Sequence, residues 1–132
     1  MPKKAKKPIR SKLIKNLDVI FSQYIRLKYA DNNGMVKCFT CEKVGHWKNG
    51  GIQCGHFRSR RFYATRFDEN NCRPQCVRCN MFDSGRSYEF GLNLGEQLAK
   101  EMFFKSQKTI KFTNDELIEM IDSFTSKVKK MT

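Results

Sequence analysis

Acidic residues are scarce in this sequence: 13 Asp and Glu stand against 26 Lys and Arg in 132 residues, a formal net charge of +13. That balance gives no support to a protein-interaction module. It points to a polyanion as partner, nucleic acid first and an acidic membrane surface second. Long apolar runs are missing too. No stretch has the length needed to cross a bilayer, and the Lys-rich start leads into an interrupted amphipathic segment rather than the apolar core of a signal peptide. A cytosolic protein with no membrane partner is therefore expected. No internal repeat is visible, and the length allows one small domain with modest extensions.

The first ten residues, MPKKAKKPIR, carry Lys and Arg, two prolines and no acid. Residues 1–10 thus read as a disordered basic arm, and residues 11–132 as a single domain. Leu13, Ile14, Leu17, Ile20, Phe21, Tyr24, Ile25 and Leu27 recur at helical spacing, predicting a packing helix over 11–30. DNNG at 31–34 stops it, and MVKCFTC opens a short strand into a cysteine pair. In GIQCGHFRSRRFYATRF, residues 51–67, aromatic and β-branched residues flank a Ser-Arg-Arg turn, predicting a β-hairpin. A helix is expected from Asn80, broken near Gly85 or Gly91. Two more follow, one with Leu98, Met102 and Phe103 on one face. The last starts at Thr113 and Glu116, which stand at capping-box spacing, and carries Leu117, Met120, Ile121, Phe124 and Val128 as its apolar stripe.

Six cysteines could make three disulfides, but four of them form two Cys-x-x-Cys pairs, Cys38 with Cys41 and Cys76 with Cys79. In a reducing compartment that spacing predicts one closed tetrahedral Zn²⁺ site whose role is folding. A redox role is the weaker alternative, since neither pair follows a strand in a βαβ context.

Between the pairs lie Gly55-His56-Phe57, then Asn71-Cys72-Arg73-Pro74-Gln75-Cys76, with Asn80 just beyond the second pair. A histidine on a hairpin strand, an asparagine in the return loop and a metal-ligating side chain at a helix start is the layout of HNH, or ββα-metal, nucleases. The stretch QCGHFRSRRFYATRFDENNCRPQCVRCN resembles the phage NinG (Rap) recombination nuclease family. It shares the Gly-His-aromatic stretch, the Arg-Phe before an acidic, Asn-rich loop and the Gln-Cys-x-x-Cys-Asn close. Trp47, Tyr88 and Gly95 fall at fitting distances.

The resemblance implies an α+β fold: a small zinc-stabilised, treble-clef-like ββα-metal core over 36–90, flanked by the helix of 11–30 and the C-terminal helices of 91–132. It implies an endonuclease cutting branched DNA of the Holliday-junction or D-loop kind in phage recombination, acting in the host cytoplasm. On that reading His56 is the general base, and Asn71 fixes the loop and the orientation of His56. Asn80 is a ligand of a catalytic Mg²⁺ or Mn²⁺. Many HNH enzymes place an aspartate just before the histidine, where this chain has Gly55. Asp83, three residues after Asn80 on an expected helix face, is the favoured substitute ligand and Gln53 the other. Arg58, Arg60, Arg61 and Arg66 are the expected phosphate contacts, Arg60 and Arg66 foremost.

Cys72 is expected to be buried as a small apolar group with Cys54 beside it, a second metal site with His46 or His56 being the alternative. His46 and Trp47 are expected to support the zinc knuckle. Cutting both arms of a junction takes two cuts, so a homodimer through the terminal helices is expected. The competing class is a zinc-finger nucleic-acid-binding protein without cleavage.

Overall fold

Leu13, Leu17, Phe21 and Ile25 lie one helical turn apart, and this is the face that α1 (Arg10–Lys28) buries. Arg26 and Lys28 occupy its last turn, where positive charge complements the helix dipole. The computed structural model describes residues 9–132, so the basic arm expected over 1–10 lies, from Met1 to Pro8, outside the described residues. The chain begins its long helix at Arg10 and ends with another, α5 (Asn114–Met131), which packs along α1. Phe21 meets Phe124 edge-on at 5.1 Å, and Leu117 is fully buried beside them. Each such side chain contributes roughly 1.5–3 kcal/mol by leaving water. The expected capping box is present: Glu116 N–H donates to Thr113 Oγ1 at 3.1 Å, and Thr113 N–H donates to Glu116 Oε1 at 2.9 Å.

Two small antiparallel sheets form the centre. Asp31 Oδ1 accepts from the amides of Asn33 and Met35, and Gly34 takes the left-handed conformation (φ 77°) that turns the chain. β1 (Met35–Lys37) then pairs with β2 (Val44–His46). β3 (Ile52–His56) pairs with β4 (Cys72–Cys76), Ile52 facing Cys76 and His56 facing Cys72. Val36, Ile52, Cys38, Cys76 and Cys79 make a second buried cluster with Trp47 against it.

The hairpin is where the structure departs from the sequence-based expectation. Its second strand is Cys72–Cys76, not a segment within 51–67. Phe57–Asn71 is a connecting loop holding a short helix, α2 (Tyr63–Arg66), and a 3₁₀ turn, Glu69–Asn71. Its β-branched and aromatic residues serve packing of the loop: Ala64, Thr65 and Phe67 are buried. After β4 comes a π-helical turn, Arg78–Phe82, stopped by a bend in which Ser84, Gly85 and Arg86 all have positive φ. α3 (Ser87–Leu94) runs through Gly91, and α4 (Glu96–Ser106) follows after Gly95. The helix break expected near Gly85 or Gly91 falls at Gly85. Among the described residues no helix is long and apolar enough to cross a membrane.

Candidate metal centre and active site

The thiol groups of Cys38, Cys41, Cys76 and Cys79 all lie within 4.8 Å of one another. Cys38 follows β1, Cys41 stands in the turn before β2, Cys76 ends β4 and Cys79 lies in the π-helical turn. The two hairpins thus meet at this point. Cys41 Sγ and Cys76 Sγ are 3.6 Å apart, close to the ~3.8 Å edge of a tetrahedron with Zn–S bonds of about 2.3 Å. This donor set fits Zn²⁺. Burial opposes ionisation of Cys38, but hydrogen bonds from the backbone of Cys76 and from Thr40 prevail and bring its thiol down to about 6. Burial and the neighbouring sulfurs push Cys41 up to about 12. A bound cation would deprotonate these thiols outright. His46 stands outside it, its ring 6.1 Å from that of Trp47, which packs against the buried cysteines.

On the other side of β3, a groove of about 550 Å³ is lined by Asp18, Gln53, Cys54, His56, Arg60 and Asn80, among others. His56 is the last residue of β3. Its Nε2 lies 2.9 Å from the Arg66 carbonyl oxygen, and a carbonyl only accepts. The ring proton therefore sits on Nε2 and the lone pair on Nδ1. Burial lowers the His56 pKa to about 4; the Arg66 hydrogen bond pulls the other way, and the charge of Arg60 adds to the lowering. The imidazole is neutral at pH 7.

Asn71 is fully buried, and its side-chain hydrogen bonds go to backbone groups other than those of His56. Its Nδ2 donates to the carbonyls of Arg58 (3.0 Å) and Thr65 (3.1 Å), and its Oδ1 accepts from Arg58 N–H at 2.8 Å. It pins both ends of the loop whose Arg66 carbonyl holds the imidazole.

Asn80, next to Cys79 in the π-helical turn, donates through Nδ2 to Gln53 Oε1 at 2.8 Å. Asp83 is not with them. It lies 4.0 Å from Arg78 Nε, on the flank lined by Cys41, Cys76 and Cys79. The expectation that Asp83 shares a face with Asn80 assumed an α-helical turn, whereas Asp83 N–H donates to Arg78 O, five residues back, at 2.8 Å. The wider π turn rotates position 83 away. Gly55 is explained by packing: a Cβ there would sit 2.0 Å from Gln75 Oε1. Gln75 is fully buried and ties β4 to Thr40 (3.0 Å) and to the Gly85 carbonyl (2.9 Å). No side chain fits at position 55.

The arginines divide into two kinds. Arg66 forks onto Asp18 and donates to the Arg60 carbonyl, and Arg58 lies between the rings of Phe62 and Phe103, each 4.7 Å away, with Nε on Ser106 Oγ. Both are tied into the fold, so the preference for Arg66 as a phosphate contact is corrected. Arg60, its side chain 62% exposed, lies on the groove wall with Nη1 3.7 Å from Asp18 Oδ2, and Arg61 is exposed. Sequence reasoning missed Asp18, the groove's carboxylate, 38 residues before His56. The available signal was that it is the one acid in a helix whose other charges are all positive.

The family model described as Bacteriophage Lambda NinG protein matches residues 1–132. No curated protein and no solved structure matches the chain.

Proposed function

The chain belongs to the bacteriophage lambda NinG family, and from that premise we propose that it is a metal-dependent, structure-specific DNA endonuclease of the HNH type. Its substrate is branched DNA, of the Holliday-junction or D-loop class, in phage recombination. The observation that carries this reading is His56, a neutral imidazole in an arginine-flanked groove with its Nε2 proton committed to a backbone carbonyl. The order β3, loop, β4, helical turn, with His56, Asn71 and Asn80 at its three stations, supports the ββα-metal assignment.

Hydrolysis of a phosphodiester needs a base for the attacking water and positive charge at the phosphate. His56 Nδ1 takes the proton from that water, while Nε2 stays on Arg66 O and fixes the ring plane. Its low pKa keeps nearly every molecule in the basic form at neutral pH and makes it a weaker acceptor. Arg60 is placed to hold a phosphate oxygen. Asn80 and Gln53 put two amide oxygens on the groove beside Asp18, whose carboxylate is held by Arg66; with that ion pair opened, the three make a hard-oxygen set that would suit Mg²⁺ or Mn²⁺. Such an ion would supply charge at the phosphate and acidify its water. Two cuts per junction call for a homodimer.

A second reading, a zinc-stabilised nucleic-acid-binding protein without cleavage, is favoured by Gln53 and Gly55, which leave β3 no carboxylate beside His56. The test is cleavage of labelled four-way junction and matched duplex by wild type and His56→Ala, with Mg²⁺, with Mn²⁺ and with neither. Metal-dependent cutting by wild type alone supports the nuclease. Equal binding by both proteins with no cutting supports the second reading.

A further inference from the structure

Three potential ligands outside the four-cysteine centre converge on one point. The ligand atoms of Cys54, His56 and Cys72 lie within 4.8 Å of one another. Strand register brings them together: His56 faces Cys72, and Cys54 faces Pro74, the neighbour two along from Cys72, so all three project from the same face of the hairpin. Arg66 O is a fourth donor at the same point, 2.9 Å from His56 Nε2 and 4.0 Å from Cys72 Sγ. Cys72 is fully buried, while Cys54 and His56 line the groove and give an ion its way in. Packing alone accounts for a small apolar group at Cys72. Cys54 packs against the same core, but packing does not require an imidazole to meet the two sulfurs.

We propose that Cys54, His56 and Cys72 form a second site for a thiophilic divalent cation such as Zn²⁺ or Cd²⁺, and that filling it withdraws His56 from catalysis. The site stands on geometry; the withdrawal rests on the nuclease reading. Two S–H bonds break and release their protons to solvent, and two metal–sulfur bonds form. The imidazole binds through Nε2, its single proton moving to Nδ1, so the nitrogen that would accept a proton from water becomes an N–H. Two thiolates cancel the charge of the cation, and the groove's positive field gains nothing that would oppose binding. The site is weaker than the four-cysteine centre, because ordering it breaks the His56–Arg66 bond and ionises a thiol buried in the apolar core. It fills second.

The test titrates the full chain with zinc and counts bound metal by native mass spectrometry. Wild type is expected to take up about two equivalents and Cys54→Ala about one, with a loss of tenfold or more in affinity for the second ion. Co²⁺ as probe should show thiolate charge-transfer absorption for both equivalents in wild type and for the first alone in Cys54→Ala. Uptake of a single ion by wild type, or a second ion that persists unchanged in Cys54→Ala, overturns the site. In the nuclease assay at fixed Mn²⁺, excess zinc should lower wild-type cutting about tenfold relative to its own zinc-free rate. Cys54→Ala should lose that sensitivity. If zinc binds as a second equivalent and cutting is unaffected, the withdrawal of His56 is overturned. If the zinc-free protein does not cut, the nuclease reading falls with it, while the metal count still decides the site.

Discussion

The two sets of metal-ligating side chains are made in opposite ways. Cys38, Cys41, Cys76 and Cys79 come as two chain-local pairs, each delivered by a turn after a strand, and they join separate hairpins. Cys54, His56 and Cys72 have no such spacing and are assembled by the register of a single hairpin. In the first set Cys38, Cys76 and Cys79 are buried and Cys41 is exposed, and in the second only Cys72 is buried while Cys54 and His56 line the groove. The comparison separates what holds this fold from what acts in it. Removing the first should unfold the centre, whereas altering the second should change chemistry and leave the fold standing.

The largest expected effect follows from that contrast. Zinc bound by four thiolates is worth about 10–16 kcal/mol in small domains, as much as the whole stability of a domain this size, about 5–15 kcal/mol. Cys76→Ser, or prolonged chelation, should therefore abolish the cooperative unfolding of the strands. Hydrogen exchange should show early loss of protection in β1 to β4, with α1 and α5 outlasting them because their core of Leu17, Phe21, Leu117 and Phe124 contains none of the four cysteines of the first set. Loss of all elements together would show that the two clusters are one folding unit.

Asn71 stands between the regions, and its removal should be next in size. Asn71→Ala leaves two carbonyls and an amide N–H without their partner inside the protein, about 2–4 kcal/mol by urea denaturation. Zinc content should be unchanged. Asn80→Ala, which loses a single half-buried hydrogen bond to Gln53, should cost about 1 kcal/mol or less. Cutting should nonetheless fall more steeply than stability. Two asparagines nine residues apart would then divide into one that positions and one that ligates.

The four-cysteine cluster and the two long helices were legible in the sequence, and the reason is locality. Cys-x-x-Cys spacing, the apolar period of α1 and the Thr113–Glu116 box are all read within one or two turns of chain. What was not legible depends on contacts between distant residues. The strand partner of β3 lies beyond a loop whose Phe62, Tyr63, Thr65 and Phe67 look strand-forming and instead fold into α2 and its packing. The direction of Asp83 depends on a π turn that no spacing rule marks, and Asp18 reaches the groove from a helix that reads as packing alone. His56, Asn71 and Asn80 were singled out by a family resemblance, but their hydrogen bonds to Arg66 O, Thr65 O and Gln53 were not legible.

The buried imidazole gives the groove side a pH signature. An unfolded histidine titrates near 6.5 and His56 near 4, so below pH 6.5 the unfolded chain binds a proton that the folded chain refuses. Its contribution is full above about pH 6.5 and is lost as the pH falls to 4, about 3 kcal/mol over the window. Denaturation midpoints should fall across that range, and His56→Gln should remove this part of the slope. Cutting should stay nearly level from pH 7 down to about 5, where an ordinary histidine base would already have lost most of its activity. A rate that follows a pKa near 6.5 would show that the groove opens to water in solution.

A smaller effect than the histidine's gives the sharpest division between packing and ligation. If Cys54 and Cys72 only fill space, Cys72→Ala should cost about 1–2 kcal/mol, since it leaves a small cavity in a fully buried site. Cys54→Ala, half-buried, should cost less, and zinc beyond the first equivalent should change neither difference. If both sulfurs hold a cation, added zinc should stabilise wild type through mass action, by about 1.4 kcal/mol for each tenfold excess over the dissociation constant. Both variants should lose that increment equally, although their costs without zinc differ. A zinc-dependent increment lost to the same extent by two variants whose zinc-free costs differ is a pattern that packing cannot produce, because each variant removes one ligand of the same ion.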